Sequence, residues 1–268
     1  MTLHLREIHL HPKANAEDTY PLNVPVVKGL SKMAFPNEVA ILVGENGSGK
    51  STLLEALARK AEMITVGSEE VHKDSTLDPI QPLVDALTLV WNKRTHRGFF
   101  LRAEDFFGYV KRLRLLSQEM AEELQRVERD YQGRSDYAKA LASLPAATSI
   151  NAFNARYGGD LDANSHGESF LTLFRSRFVP GGLYILDEPE AALSPLSQLG
   201  LISLIRSMTQ ADGQFIIATH SPILMAIPGA SILDLDREPP GLVQYDELEH
   251  VRLYRSFLDN PGAFVNRL

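Results

Sequence analysis

Gly44-Glu-Asn-Gly-Ser-Gly-Lys-Ser51 decides how the rest of the chain is read. It fits the spacing G-x-x-x-x-G-K-S/T, and its flanks fit too. Val39-Ala-Ile-Leu-Val43 before it is a short continuous apolar run, the pattern of a strand buried on both faces. Ser51 to Glu62 after it reads as a helix. Strand, glycine-rich turn and helix in that order form a cradle for phosphate: backbone N–H groups line the turn and the positive end of the helix faces the same point. Lys50 is placed to reach the outer phosphates, and the Ser51 hydroxyl to ligate Mg²⁺.

Two further apolar runs, Leu183-Tyr-Ile-Leu186 and Gln214-Phe-Ile-Ile-Ala-Thr219, have the same buried-strand character. Between them Leu201, Leu204, Ile205 and Met208 repeat at helical spacing. Strand, crossover helix, strand predicts parallel pairing with a right-handed connection. The expected fold is therefore α/β: a mixed, mostly parallel sheet flanked by helices. Ser231 to Leu235 and Leu242 to Tyr245 predict a hairpin. Asp246 is the expected cap of a terminal helix reaching Leu258.

The middle of the chain is different. From Asp105 to Asn164 no buried-strand run occurs, and Leu113, Leu116, Met120, Leu124 and Val127 form a helical stripe. We read 105–164 as a helical lobe inserted in a single domain spanning 1–268. Pro145 to Asp162, rich in Ala, Asn, Gly and Ser, reads as a loop. Arg112, Arg114, Arg126 and Arg129 in the lobe leave room for a nucleic acid, but they alternate with Glu122, Glu123, Glu128 and Asp130, as on a solvated helix face.

Composition bounds the chemistry. The 268 residues hold 27 basic and 34 acidic side chains, a net charge of −7, which argues against a protein that coats duplex nucleic acid. There is no cysteine, so disulfides, thiolate metal sites and a cysteine nucleophile are excluded. Met1 to Leu10 carries His4, Arg6, Glu7 and His9 and lacks the apolar stretch of a signal peptide; no run reaches 18 apolar residues. The expectation is a cytoplasmic protein without direct membrane insertion.

Acidic residues emerge where the second strand ends, at Asp187-Glu188, the edge where open α/β sheets bind ligands. Asp187 is the candidate Mg²⁺ holder and Glu188 the candidate base that polarises an attacking water. His220 closes the third strand at the same edge and is the candidate γ-phosphate sensor. Ser165-His-Gly-Glu168 reads as a helix N-cap with a capping box, and the same geometry is an anion site.

Together these elements resemble the ABC-type ATPases of the P-loop NTPase fold. Ser165-His-Gly-Glu168 stands where that superfamily carries its L-S-G-G-Q signature, with Asn164, His166 and Glu168 as departures. The resemblance implies ATP and Mg²⁺ as cofactors and a head-to-tail homodimer in which the signature of one subunit covers the nucleotide of the other. Asp187-Glu-Pro-Glu-Ala-Ala-Leu-Ser-Pro195 and Thr219-His-Ser-Pro222 look like the non-transporter branch with RecF-like, SMC-like and OLD-like ATPases. Phe99-Phe-Leu-Arg-Ala-Glu104 and Ser165 to Phe170 resemble small AAA-type predicted ATPases within it. By analogy, the branch implies a role in DNA maintenance.

The expected nucleotide set is Gly44, Glu45, Asn46, Gly47, Ser48, Gly49, Lys50, Ser51 and Thr52, with Ser165 and Gly167. The expected catalytic set is Glu188, His220, Lys50 and Ser165, and the metal set Ser51, Asp187 and Glu104. The family's Q-loop glutamine is missing. Glu104 is one replacement, as a metal or water contact; Arg102 is another, as a phosphate contact; a salt bridge between the two is the third reading. Tyr20 is a candidate for stacking on adenine or an ordinary core or surface tyrosine. Two other functions remain alternatives: the ATP-binding motor of a membrane transporter, and a switch that holds ATP with little turnover.

Overall fold

The computed structural model describes residues 3–12, 18–65, 75–157 and 166–266. In chain order the elements are β1 (Leu5–Leu10), α1 (Pro25–Lys28), β2 (Lys32–Ala34), β3 (Val39–Val43), α2 (Lys50–Lys60), α3 (Gln81–Ala86), β4 (Leu87–Trp91) and β5 (Gly98–Arg102). The long helices α4 (Ala103–Asp130) and α5 (Asp136–Tyr157) follow, then α6 (His166–Arg177), β6 (Leu183–Asp187), α7 (Pro195–Gln210) and β7 (Gln214–Ala218). The chain continues through α8 (Pro222–Met225), β8 (Ser231–Asp234), β9 (Gly241–Val243), α9 (Glu249–Asp259) and α10 (Pro261–Val265).

Six strands form one sheet in the order β5-β6-β7-β3-β8-β9, parallel throughout except for β9, which returns antiparallel to β8. The sheet is buried on both faces, which is why its central strands read as unbroken apolar runs. Successive residues serve opposite cores: Ala40, Leu42 and Ile216 belong to one cluster and Ile41, Val43, Phe215 and Ile217 to the other. The second core is aromatic. Tyr184 lies 4.7 Å from Phe178 and 4.8 Å from Phe215, and its hydroxyl donates to Val179 O at 2.7 Å, which fastens the end of α6 to β6.

A second, three-stranded antiparallel sheet in the order β2-β1-β4 covers the other core, and was not anticipated. Leu5-Arg-Glu-Ile-His-Leu10 does not alternate cleanly; Glu7 is buried beside Ile8, and its carboxylate is paired with Lys32, Arg6 and His9. Gln214 staples the two sheets together. Its side-chain oxygen accepts from His4 N and Leu5 N at 2.9 and 2.8 Å, and its amide donates to Leu5 O at 2.8 Å.

Three local expectations are corrected. The stretch expected to be a loop from Pro145 is helical to Tyr157, as the interior of α5. Ala138, Ala140, Ala142, Ala146 and Ala147 supply strong helix propensity, and packing against α4 absorbs the proline. Residues 158–162 lie outside the described residues. Asp246 does not cap the terminal helix. The Glu247 carboxylate accepts from Gln244 N at 3.3 Å to close a 3₁₀ turn over Tyr245–Glu247, and α9 begins only at Glu249. Asp246 instead pairs with Arg255 at 2.6 Å. Finally, α2 ends at Lys60, two residues early, where Glu62 turns into left-handed backbone at φ 56°.

Candidate functional site

The glycine-rich turn sits between the central strand β3 and the first turn of α2. Gly49 has φ +98°, and a Cβ there would come within 2.8 Å of Val26 Cγ1, so only glycine fits. At Gly44 a Cβ would lie 2.8 Å from Ser48 Oγ. Lys50 opens α2 and is 5% exposed. Its ammonium donates back to Gly44 O at 2.7 Å and Glu45 O at 2.9 Å, so the charge lies across the mouth of the turn. Burial pushes the Lys50 pKa down, while Glu188, Asp236, Asp187 and Glu190 act against that shift.

Strands β6 and β7 end beside this turn. Asp187 is the last residue of β6, and burial raises its pKa to about 6, with a hydrogen bond from Ser51 and the charge of Lys50 opposing. Asp187 Oδ1 has no hydrogen-bond partner among the described residues. A buried carboxylate with an open oxygen beside a serine hydroxyl fits Mg²⁺, which takes few protein ligands and completes its shell with water and phosphate oxygens. No preassembled cluster of three or more acidic or histidine ligands occurs among the described residues.

Glu188 follows in left-handed backbone, φ 47° and ψ 52°, with its N–H on Ala218 O at 2.9 Å. Such a conformation in a non-glycine residue costs about 1–3 kcal/mol, and strain of this kind concentrates where a side chain must be aimed. Glu188 Oε1 lies 3.7 Å from His220 Nε2. A cleft of about 360 Å³ is lined by Tyr20, Val24, Asn46, Gly47, Gly49, Lys50, Ser51, Thr52 and Glu188. Tyr20 is thus on the rim of the same cleft as the phosphate loop.

Other expected residues are placed differently. The Arg102 guanidinium grips Asp105 through Nε at 2.9 Å and a second nitrogen at 3.0 Å, and stands 3.7 Å from Glu55. Gly167 lies in the first turn of α6. Ser165 lies outside the described residues, and so does the side chain of Glu104.

Two residues at the site were not singled out for these contacts. Asp236, after β8, accepts from Glu45 N at 2.8 Å and braces the start of the turn from the far side. Glu190 accepts from His220 N at 2.6 Å. In the sequence Glu190 stands out only as a fallback candidate for the base, and Asp236 only as an acid in the hairpin turn.

The family model described as ABC transporter matches residues 27–191. The chain belongs to the ABC transporter family, whose ATPase domains bind and hydrolyse ATP. A second model, described as "AAA domain, putative AbiEii toxin, Type IV TA system", matches residues 169–226. The L-cystine transport system ATP-binding protein TcyN of Escherichia coli is 24% identical over 73% of this chain and 74% of its own length. The phosphate import ATP-binding protein PstB of Bacillus cereus is 25% identical over 80% of this chain and 78% of its own. An ATP-binding cassette of an ABC transporter, solved in its ADP conformation, is 13% identical with a TM-score of 0.49, covering 95% of this chain and 99% of that one. Among the described residues no helix is long and apolar enough to cross a membrane.

Proposed function

We propose that the chain is one ATPase unit with 105–164 as its helical insertion, and that two copies close head to tail around ATP. The observation that carries the hydrolytic assignment is the cleft that Lys50, Ser51, Thr52 and Glu188 share. In this reading the loop from Gly44 to Thr52 holds the phosphates. Lys50 leaves its carbonyl partners to meet the outer phosphate oxygens. Ser51 and Asp187 hold Mg²⁺, which neutralises charge on the phosphates when bound. Glu188 accepts the proton of a water that attacks the γ-phosphorus in line, and His220 sets the orientation of Glu188 and senses the γ-phosphate. Ser165 and Gly167 of the signature segment cover the nucleotide of the partner subunit, and Tyr20 faces the adenine. Glu104 remains the metal or water contact that replaces the missing glutamine.

For the biological role we favour a non-transporter ATPase, with DNA maintenance as the working class. The Asp-Glu-Pro-Glu and Leu-Ser-Pro pattern after β6 and the altered signature support it. The rival reading is the motor subunit of a membrane transporter, favoured by the names of TcyN and PstB. Capturing partners of Glu188→Gln in the ATP state separates the two: nucleic acid or a chromosome-associated protein supports the first, and a permease supports the second.

The dimer is tested by mixing. Ser165→Arg and Lys50→Ala subunits are each expected to be inactive. Their mixture contains one site with an intact loop and an intact signature, so about a quarter to a half of normal turnover per mixed dimer returns, since one of two sites is whole. A mixture as inactive as its parts, with mixed dimers proven, overturns the head-to-tail arrangement.

A further inference from the structure

The carboxylate of Glu190 is used in an unusual way. One oxygen, Oε1, accepts the backbone N–H of His220 at 2.6 Å, thirty residues away across the β6–β7 edge. The other, Oε2, is buried and has no hydrogen-bond partner among the described residues. Glu190 sits in the 3₁₀ turn Pro189–Ala192, whose first backbone bond runs from Ala191 N to Glu188 O at 3.1 Å. The turn that carries Glu188 and the strand end that carries His220 are therefore tied by a single side chain. The negative charge of Glu190 also acts on both Lys50 and Asp187.

A backbone N–H at a strand end normally finds water or a neighbouring carbonyl. Using a carboxylate there makes a short charge-assisted bond and leaves a second buried oxygen without a partner among the described residues, a cost in stability of the kind found at functional sites. The bond fixes where His220 begins, and so where its ring meets Glu188 at 3.7 Å. Glu190 is in the neighbourhood of the reaction, but the oxygen that approaches His220 is already engaged as an acceptor.

We infer that Glu190 is a positioning residue of the hydrolytic centre: it locks the His220 backbone to the Glu188 turn so that the histidine ring and the Glu188 carboxylate face each other. The inference rests on the assignment of Glu188 and His220 made above. It predicts a particular chemical requirement at position 190, an acceptor at the end of a four-atom side chain. Glutamine meets it, since its amide oxygen accepts the same N–H. Alanine does not, and aspartate is one methylene too short.

The test measures steady-state phosphate release by the full chain for Glu190→Ala, Glu190→Asp and Glu190→Gln, with Lys50→Ala alongside. Glu190→Ala and Glu190→Asp are expected to lose about 10- to 100-fold in kcat with KM for ATP within about twofold, the signature of misplaced chemistry rather than lost binding. Glu190→Gln is expected to return to within about threefold of the parent rate. If Glu190→Gln is as inactive as Glu190→Ala, the carboxylate itself moves a proton and the positioning role is overturned. If Glu190→Ala keeps the parent rate, the contact has no role in turnover and the inference fails. Where Glu190→Ala does not fold, Glu190→Gln and Glu190→Asp decide the matter by the same comparison. An active Lys50→Ala would sink the site assignment itself, whatever Glu190 does; an inactive Lys50→Ala with a fully active Glu190→Ala sinks only this inference.

Discussion

Arg102 and Asp187 stand in register on the adjacent strands β5 and β6, at the sheet edge where the phosphate loop opens. Yet the Arg102 guanidinium turns to Asp105 at the start of α4 and forms a two-pronged ion pair with it. The long helix of the insertion is thereby tied to the strand next to the candidate metal ligand. Both side chains are mostly out of water, at 11% and 19% exposure, so removing one partner leaves a mostly buried charge uncompensated.

Arg102→Ala should therefore cost about 3 kcal/mol, the lower end for breaking a buried pair. A titration of ATP should show affinity within about twofold of the parent. A loss of tenfold or more with stability retained would make Arg102 a phosphate contact instead.

Asp187 predicts an opposition between stability and ligand binding. Its folded-state pKa of about 6 lies above the ordinary value of 3.8. The folded chain thus holds its proton more tightly than the unfolded chain between those values, and stability falls as pH rises through that window. Above pH 6 the penalty is fully present, at about 3 kcal/mol. Asp187→Asn should raise the melting temperature at pH 7 without ligand, show no such gain at pH 4, and weaken the Mg²⁺ dependence of ATP binding. A variant that is less stable at pH 7 would contradict this.

Gln214→Ala should cost about 2–4 kcal/mol, because His4 N, Leu5 N and Leu5 O lose their buried partner together. Hydrogen exchange should speed up first at β1, with the six-stranded sheet still protected. Uniform loss across both sheets would mean that they unfold as one unit.

How much of this was legible follows from burial. Strands β3, β6 and β7 are covered on both faces, and runs such as Val39 to Val43 announce that directly. The loop from Gly44 to Ser51 is legible because its chemistry needs fixed residue types at fixed spacing. β1 was not, because its face carries Glu7, whose carboxylate is satisfied by Lys32, a partner that only the fold brings near. The helix through Pro145 is not legible in the sequence because its small and polar residues resemble a loop until packing on α4 is known. In the sequence Glu190 reads as a fallback general base and Asp236 as part of a hairpin turn; their hydrogen bonds to His220 and Glu45 span 30 and 191 residues, which no local pattern encodes.

The most direct test of the hydrolytic assignment is phosphate release by Glu188→Gln beside its oligomeric state with ATP. Glutamine keeps the size of the side chain and removes the base, so turnover should fall by about 10²–10⁴-fold while ATP still binds. Because the γ-phosphate then persists between the two halves of the site, the variant should accumulate as an ATP-dependent dimer in light scattering. Hydrolysis at the parent rate, or a chain that binds ATP and stays monomeric, would contradict the account.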